Sequence, residues 1–238
     1  MRILGIIPAR GGSKGIKNKN IKNLNGKPLI SYTSEIALKS TFLDKVIVST
    51  DDPKIAKISQ KLGLEVPFVR PNNLADDNSS TISVVKHALN FYKTKGEEFD
   101  AICLLQVTSP MRTLSFLENC LKKFNLNKTD SLISVLKVPH HYNPHWIFEE
   151  NKDGYLSIST GEKSIITRRQ LLPDSFVRDG SVYITKSNIV LNNNSLYGSS
   201  IDYYISPESE LINIDTMDDW LKAEKYLSYR INQKSKKN

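Results

Sequence analysis

The sequence has few of the residues that mark secreted, membrane-spanning or metal-cluster proteins. Only two of its 238 residues are cysteines, Cys103 and Cys120, and neither lies in a CxxC or Cys/His pattern. We therefore expect no disulfide framework and interpret both as reduced core thiols of a cytoplasmic protein. The first apolar run, residues 3–7, stops at Pro8, so we expect neither a signal peptide nor a membrane span.

The charge is unevenly placed. Lysine and arginine number 33 against 25 aspartates and glutamates, a net charge of +8. A basic chain can bind nucleic acid, an anionic membrane or a small polyanion. The sequence has no long basic helix and no stripe of basic and aromatic residues, so we expect no nucleic-acid or membrane partner. Cations among glycines and asparagines near the start of the chain favour a small polyanion instead.

Short apolar runs alternate with helix-like spacings along most of the chain. Strands are expected at residues 3–7, 45–49, 66–69, 101–106, 131–138, 181–185 and 211–214. Helical patterns fill most of the intervals, and a closing helix is expected at 217–229. This rhythm predicts an α/β fold, a Rossmann-like and mainly parallel sheet with helices on both faces.

The rhythm breaks after Pro139. Residues 139–178 have irregular signals, typical of an insertion used for dimerisation or substrate binding within a domain of residues 1–229. Residues 230–238 are expected to be a basic tail. The spacing of His140, His141 and His145 lacks the glutamate of HExxH, so we interpret them as parts of an interface or pocket rather than a zinc site.

A basic, glycine-rich segment follows the first predicted strand. In open α/β sheets, ligands bind just beyond the carboxyl ends of strands. Glycines there let backbone N–H groups face phosphate oxygens, although the segment is neither a Walker A loop nor GxGxxG. The candidates for holding phosphate or ribose oxygens are Arg10, Gly11, Gly12, Ser13, Lys14, Lys19 and Asn20. Lys17 is interpreted as a solvated lysine.

Six ordered segments, spanning residues 3 to about 220, carry a family resemblance. They are Ile7-Pro8-Ala9-Arg10-Gly11-Gly12-Ser13-Lys14-Gly15 with Lys19-Asn20-Ile21; Ser49-Thr50-Asp51-Asp52; Arg70-Pro71 with Leu74-Ala75 and Asp77 to Ser80; Gln106-Val107-Thr108-Ser109-Pro110-Met111-Arg112; Arg169-Gln170 with Pro173 and Gly180 to Ile184; and Ile212-Asn213-Ile214-Asp215-Thr216. In this order they resemble the motifs of the acylneuraminate (nonulosonate) cytidylyltransferases, also called CMP-sialic acid synthetases.

The resemblance implies a reaction and its partners. CTP and an acidic nine-carbon 2-keto sugar would give the CMP-sugar and pyrophosphate. The resemblance also implies a divalent cation, usually Mg²⁺, and a homodimer in which an extended segment crosses to the partner. Because charge gathers on phosphate oxygens in such a transfer, positioning and electrostatics should supply most of the catalysis. We expect Arg10, Lys19 and Asp215 to be the catalytic residues.

Further site residues follow from strand ends and from the resemblance. Asp215 is the first candidate for a metal ligand; the family has two aspartates here, and Asn213 stands in place of the first, which weakens its claim as a ligand. The resemblance puts Gln106 beside the sugar. Arg169 is the candidate for the sugar carboxylate, because a guanidinium matches it with two parallel hydrogen bonds. Arg168 and Arg178 have weaker claims.

Three assignments stay open from the sequence. Either Asp51 or Asp52 could reach the ligand while the other caps the helix that begins at Pro53. Ser79, Ser80 and Thr81 could contact the nucleotide or cap a helix, and Tyr183 could pack against the sugar or fill the core.

The sugar is also open. Sialic-acid enzymes often carry a lysine near the position where this chain has the segment His141–Trp146, and together with Asn213 this favours a legionaminate-type sugar over N-acetylneuraminate. Rival hypotheses are transfer to pseudaminate, to a Kdo-like acid or to a sugar 1-phosphate, and a binding module without enzymatic activity.

Overall fold

Six strands of the chain pair into one mixed sheet. The computed structural model describes residues 1–208 and 212–235. The strands are β1 (Ile3–Pro8), β2 (Asn23–Leu24), β3 (Lys27–Pro28), β4 (Lys45–Ser49), β5 (Ala101–Leu105), β6 (Ser131–Lys137), β7 (Phe148–Glu150), β8 (Leu156–Ile158), β9 (Phe176–Lys186) and β10 (Ile201–Ile205). The helices are α1 (Leu29–Lys39), α2 (Pro53–Lys61), α3 (Thr81–Thr94), α4 (Leu114–Asn127), α5 (Ser187–Asn193) and α6 (Met217–Ser235).

The order of the large sheet is β10-β6-β9-β5-β1-β4. Strand β1 pairs in parallel with both of its neighbours, β4 and β5. Strand β9 runs antiparallel to β5, with Val182 opposite Leu105 and Lys186 opposite Ala101. The prediction of a mainly parallel, Rossmann-like sheet is confirmed, and the reversal of β9 makes the sheet mixed.

Both faces of the central strands are buried. Along β1, Ile3 and Ile7 pack into one core cluster, whereas Leu4 and Ile6 pack into another. The first cluster takes side chains from α1, α2, α4 and α6, and the second takes them from α3 and α5. This is why the strands read as nearly continuous apolar runs, and it confirms helices on both faces.

A tight hairpin, β2–β3, follows the basic loop. Its turn is Asn25-Gly26, whose φ angles of 48° and 89° are both positive, as a type I′ turn demands. Glycine adopts this conformation without steric cost, and asparagine is among the residues that tolerate it best. The hairpin connects the loop to α1.

Several predicted boundaries were wrong. Residues 66–69 form no strand: isolated bridges join Glu65 to Ile47 of β4 and Val69 to Thr50 just beyond it, and Pro67 between them has no N–H with which to continue a ladder. Residues 212–214 are not a strand, and Leu211 lies outside the described residues. Helix α6 runs past Tyr229 to Ser235, into the segment expected to be a tail; the remaining tail residues 236–238 lie outside the description. Helix α5 and strand β10 were not predicted.

Residues Val135–Arg178 form a second compact unit, apart from the unit of Met1–Ser134 and the described residues from Asp179 onward. Inside it, β7 and β8 form a hairpin. The buried Asn143 donates its amide to the Pro173 carbonyl at 2.9 Å, and the Trp146 indole donates to the Ile166 carbonyl at 2.6 Å. The unit overlaps the insertion expected at 139–178, whose role in dimerisation or substrate binding remains a prediction.

The chain leaves the first unit after Ser134 and returns to it at Asp179, and these two residues are hydrogen-bonded to each other. The Ser134 hydroxyl donates to the Asp179 carboxylate at 2.5 Å and accepts from the Val182 backbone N–H at 2.8 Å. The two ends of the intervening segment are thereby tied within the first unit.

Both cysteines are reduced thiols and fully buried, as expected for core residues. Burial raises the pKa of Cys103 to about 12, so its thiol stays protonated at neutral pH. Within residues 1–208 and 212–235, no helix combines the length and the apolar character that crossing a membrane requires.

Candidate active site

The predicted phosphate loop lies at the carboxyl end of β1 and is braced by its own polar groups. The Gly11 N–H donates to the Asp51 carboxylate at 3.1 Å, and the Asn20 amide donates to the Arg10 carbonyl at 2.9 Å. Asn20 is only 7% exposed, so the structure places it behind the loop as a support. Gly12 is exposed and Ser13 half-buried, with the Ser13 N–H donating to the Gly11 carbonyl.

Two cations of this loop share one carboxylate. Arg10 Nη2 lies 2.9 Å from Asp77 Oδ1, and Lys14 Nζ lies 2.7 Å from Asp77 Oδ2. The hydrogen bond from Lys14, together with that from Arg10, holds the pKa of Asp77 below its ordinary value. The guanidinium of Arg10 also donates to the Asp76 carbonyl at 2.9 Å. An anion that bound to Arg10 and Lys14 would therefore have to displace the Asp77 carboxylate from them.

The third cation, Lys19, reaches a segment almost at the other end of the chain. Its Nζ lies 2.8 Å from the Ile214 carbonyl and 3.3 Å from Asp215 Oδ1. The segment is held there because the Ile214 N–H donates to the Thr108 carbonyl at 2.8 Å. Gly15 allows the approach: a Cβ on Gly15 would lie 2.5 Å from the Asp215 carbonyl oxygen, so no side chain fits. The structure thus brings together Lys19 and Asp215, which the sequence separates widely.

The oxygen ligands at this point suit a metal ion shared with substrate. The Asp215 side chain is 62% exposed, and Asn213 donates its amide N–H to Asp215 Oδ2 at 2.6 Å. Asn213 therefore orients the carboxylate. The described residues contain no group of three His, Cys, Asp or Glu side chains that could cage a metal. Because Mg²⁺ is commonly bound by one or two carboxylates plus substrate phosphates, the arrangement fits such an ion.

The neighbouring aspartates Asp51 and Asp52 have different roles. Asp52 is the N-cap of α2 and accepts hydrogen bonds from the backbone N–H groups of Lys54 and Ile55. Asp51 instead accepts from Gly11 in the loop. The structure therefore separates the two residues that the sequence left open: Asp52 caps the helix, and Asp51 supports the loop.

A cavity of about 290 Å³ opens beside the loop. Its walls are formed by Pro8, Arg10, Arg70, Leu74, Asp76, Asp77, Ser79, Thr81 and Val84. Thr81 faces this cavity, whereas Ser80 caps α3 by accepting from the Ser83 N–H. A larger cavity, of about 550 Å³, lies at the amino ends of β1 and β5, away from the edge at which open α/β sheets bind ligands.

Arg70 is a buried cation in the wall of the smaller cavity, and sequence reasoning assigned it no role beyond its motif. It is 4% exposed and bonds to both the hydroxyl and the carbonyl of Ser49 at the end of β4. Burial lowers the pKa of Arg70 to about 10, with Arg10 adding to the effect and Asp51 opposing it. The guanidinium remains charged at neutral pH and adds to the positive field of the cavity.

The two residues of the first unit that were predicted to contact the sugar, Gln106 and Tyr183, lie in different environments. The side chain of Gln106 is half-buried just beyond β5, and its Oε1 accepts from the Thr108 hydroxyl at 3.4 Å. Tyr183 is 2% exposed and belongs to the core beneath α3 and α5. We therefore assign Tyr183 to the core, the second of its two interpretations.

Arg112 is a second buried cation, and in the sequence it stood out only as part of a motif. It is 3% exposed, and it donates to the Ser181 hydroxyl at 3.0 Å and to the Gln106 carbonyl at 2.9 Å. These bonds tie the loop after β5 to β9. Arg112 therefore braces the segment that carries Gln106 and Thr108.

Replacing Arg112 by methionine should lower the free energy of unfolding by about 3 kcal/mol, because the buried Ser181 and Gln106 oxygens lose a charged donor. Urea denaturation measures this change. Lys57→Met, at an exposed position on α2, is the control and should change stability by less than about 0.5 kcal/mol. A loss below about 1 kcal/mol for Arg112→Met would contradict the bracing role.

The second unit contains the remaining predicted residues. Arg169 begins a short 3-10 turn, Arg169–Leu171, and both Arg168 and Arg169 are exposed. The ring of His145 pairs with the Glu162 carboxylate at 2.7 Å. Hydrogen bonds from Thr160 and then from His145 hold the pKa of Glu162 below its ordinary value. The histidine segment thus makes contacts within its own unit.

In the first unit, the fold and the site define an α/β nucleotide-binding enzyme with cations gathered at the carboxyl end of the first strand. A cytidylyltransferase family model matches residues 4–168. The chain is 34% identical over 235 residues to a pseudaminic acid cytidylyltransferase of Campylobacter jejuni, covering 99% of each chain. It is 32% identical over 237 residues to a CMP-N,N'-diacetyllegionaminic acid synthase of Legionella pneumophila, covering 95% of this chain and 97% of the other.

A solved structure shares the fold. The structure of CMP:2-keto-3-deoxy-manno-octonic acid synthetase complexed with CTP superposes with a TM-score of 0.72 at 18% identity, covering 97% of this chain and 100% of that one. The chain belongs to the cytidylyltransferase family, in the nonulosonate group that its motifs indicated, and it is a nucleotidyltransferase.

Proposed function

We propose that the enzyme transfers a cytidylyl group from CTP to an acidic nine-carbon 2-keto sugar and releases pyrophosphate. The observation that carries the proposal is that the loop after β1 supplies three cations, of which Arg10 and Lys14 pair with Asp77 and Lys19 pairs with Asp215. The names of the two relatives support the substrate class. The triphosphate would replace Asp77 on Arg10 and Lys14 and would extend towards Lys19.

The nucleoside would occupy the cavity of about 290 Å³ beside the loop. Its mixed lining suits a pyrimidine and ribose, because few but well-placed polar groups fix a ligand in a pocket. Thr81 offers a hydroxyl there, and Arg70 offers a buried positive charge. With the loop and Lys19, these groups would accommodate the whole nucleotide along one edge of the sheet.

In the proposed reaction, the anomeric hydroxyl oxygen of the sugar forms a bond to the α-phosphorus. The bond from that phosphorus to the α–β bridging oxygen breaks, pyrophosphate leaves with the electron pair, and the hydroxyl proton passes to solvent. Lys19, which is held by the Ile214 carbonyl, is positioned to stabilise charge on the phosphate oxygens. Asp215 would hold a divalent cation, which supplies further charge neutralisation at those oxygens.

Arg169 remains our proposed partner for the sugar carboxylate, and Gln106 our proposed contact for the rest of the sugar. The support for Arg169 is its position in the family motif and the match between guanidinium and carboxylate geometry. The half-buried amide of Gln106 beyond β5 gives it hydrogen-bonding capacity towards a ligand at that edge.

We also propose a homodimer that works in the cytoplasm. Large apolar side chains exposed on the second unit, among them Tyr155, Leu156 and Leu171, support a partner contact there. The two reduced, buried cysteines suit a reducing compartment. Light scattering on the purified protein, at about twice the mass of one chain, would support the dimer, and a monomer would refute it.

A pyrophosphate-release screen tests the function. CTP, UTP, GTP and ATP are each combined with legionaminate, pseudaminate, N-acetylneuraminate and Kdo, with and without Mg²⁺. The relatives' names divide between pseudaminate and legionaminate at nearly equal identity, so the screen also tests our expectation of a legionaminate-type sugar. Absence of turnover with CTP and every one of these acids would refute the proposal.

Arg169→Ala should raise the KM for the sugar by roughly 100-fold and leave the KM for CTP within about twofold, because a charged bidentate hydrogen bond is lost on the sugar side alone. Arg168→Ala, an exposed neighbour of the same charge, is the control. Steady-state kinetics with each substrate varied measures both effects. Unchanged sugar kinetics in Arg169→Ala would favour a substrate without a carboxylate, such as a sugar 1-phosphate.

A further inference from the structure

Asp77 uses both of its carboxylate oxygens on cations of the phosphate loop. Oδ1 pairs with Arg10 at 2.9 Å and Oδ2 with Lys14 at 2.7 Å. The pairing positions an anion where the proposed function requires the triphosphate. Because the pKa of Asp77 is held below its ordinary value, chiefly by the hydrogen bond from Lys14, the side chain is ionised at neutral pH.

The loop that carries Asp77 has its own internal bonds. The carboxylate of the neighbouring Asp76 accepts from the Asn78 N–H at 3.0 Å and from the Ser79 hydroxyl at 2.7 Å. The loop then runs into α3, which Ser80 caps. The backbone around Asp77 would therefore keep its shape if the Asp77 side chain left its two cations. The side chain is 44% exposed, so an incoming ligand can reach it.

Two other carboxylates contact the same loop region, but each has a different role. Asp51 accepts from the Gly11 N–H and thereby supports the backbone. Asp215 pairs with Lys19 and would turn to a metal ion when substrate binds. Asp77 differs from both, because its two partners are the side-chain cations that a phosphate chain needs.

We propose that Asp77 is an internal competitor that sets the affinity of the site for phosphate chains. The triphosphate displaces it from Arg10 and Lys14, and Asp77 returns to them when pyrophosphate leaves. The inference rests on the proposed function in one respect, that Arg10 and Lys14 hold phosphate. Because Asp77 competes for the two cations, every ligand that needs both of them binds more weakly than it would without Asp77, and by the same factor. Pyrophosphate is such a ligand, so the competition also speeds its release.

Asp77→Asn tests the proposal because it removes the charge and keeps the size. Titration calorimetry with inorganic triphosphate, pyrophosphate, CTP and cytidine measures binding without any turnover. The substitution weakens two partly exposed ion pairs that compete with the ligand. The Kd of each of the three phosphate ligands should therefore fall roughly three- to tenfold. The Kd of cytidine, which carries no phosphate, should not change. Asp77→Ala should act in the same direction.

Glu35→Gln is the matched control, because it removes one negative charge from an exposed ion pair, with Lys27, that lies outside the phosphate loop and the cavity. It should change phosphate affinity much less than Asp77→Asn. In turnover assays, Asp77→Asn should lower both the KM for CTP and the Ki for pyrophosphate by the same factor. A variant that differed from the wild type only in its folding would not show both constants falling by the same factor.

Weaker or unchanged binding of the phosphates by Asp77→Asn would overturn the proposal and would make Asp77 an organiser of the cations. Failure of the wild type to bind inorganic triphosphate would overturn it as well. Failure of the proposed function has a different signature: phosphates and CTP would bind, Asp77→Asn would tighten them, and no nonulosonate would release pyrophosphate.

Discussion

Lys19→Ala is expected to lower kcat/KM for CTP by roughly 10²–10³-fold, the usual cost of removing a preorganised group from developing charge. Preorganisation is visible in the structure, since the Lys19 side chain is 15% exposed and its Nζ is fixed by the Ile214 carbonyl at 2.8 Å. An ammonium held in this way needs no reorganisation during the reaction. Its loss also leaves Asp215 without its cation.

The control for Lys19 lies two positions away. Lys17 is exposed and was interpreted as solvated, so Lys17→Ala should keep kcat/KM within about twofold. Lys19→Arg keeps the charge but changes its reach, and it should recover part of the activity. Thermal unfolding of each variant separates a loss of chemistry from a loss of folding. A Lys19→Ala enzyme with wild-type kinetics would remove Lys19 from the site.

Asp215→Asn should lower kcat by roughly 10³-fold, because a metal ion at transferring phosphate oxygens is worth several kcal/mol of stabilisation. Asparagine keeps the shape of the side chain and removes its charge. The variant should also lose the dependence of activity on Mg²⁺ concentration. Binding of Mn²⁺ in the presence of CTP, followed by the relaxation of water protons, should weaken in parallel.

Asp218→Asn is the matched control for Asp215. Asp218 is exposed in the first turn of α6, where a carboxylate interacts favourably with the helix dipole. Its replacement should leave the Mg²⁺ dependence intact. If Asp215→Asn titrated with Mg²⁺ like the wild type, the metal would have to be held by other residues.

Local patterns were enough to predict the central strands of the sheet and the edge at which the site lies. Strands β1 and β5 are buried on both faces, so their runs are apolar throughout and their ends are sharply marked. The parallel pairing of β1 with β4 and β5 brings three strand ends together, and with them the loops at Gly11, Asp51 and Gln106. The ordered motifs then indicated which loops carry chemistry.

Pairings across long stretches of chain could not be predicted in this way. Lys19 and Asp215 are 196 positions apart, and what joins them is a backbone bond from Ile214 to Thr108 that has no pattern in the sequence. The pairing of Asp77 with both Arg10 and Lys14 likewise joins distant parts of the chain and has no pattern in the sequence. Residues 66–69 looked like a strand by composition, but strand pairing depends on N–H donors, and Pro67 has none.

The hydrogen bond between Ser134 and Asp179 has a consequence for how such enzymes diversify. A chain segment that leaves a fold and re-enters it at one point can change length or sequence without shifting the strands on either side. Residues 138–175, which lie between the end of β6 and the start of β9, are therefore a natural unit of exchange between relatives. Recombination at this junction would give a relative a new surface in the second unit, while the phosphate loop after β1 and its hydrogen-bond partners were inherited unchanged.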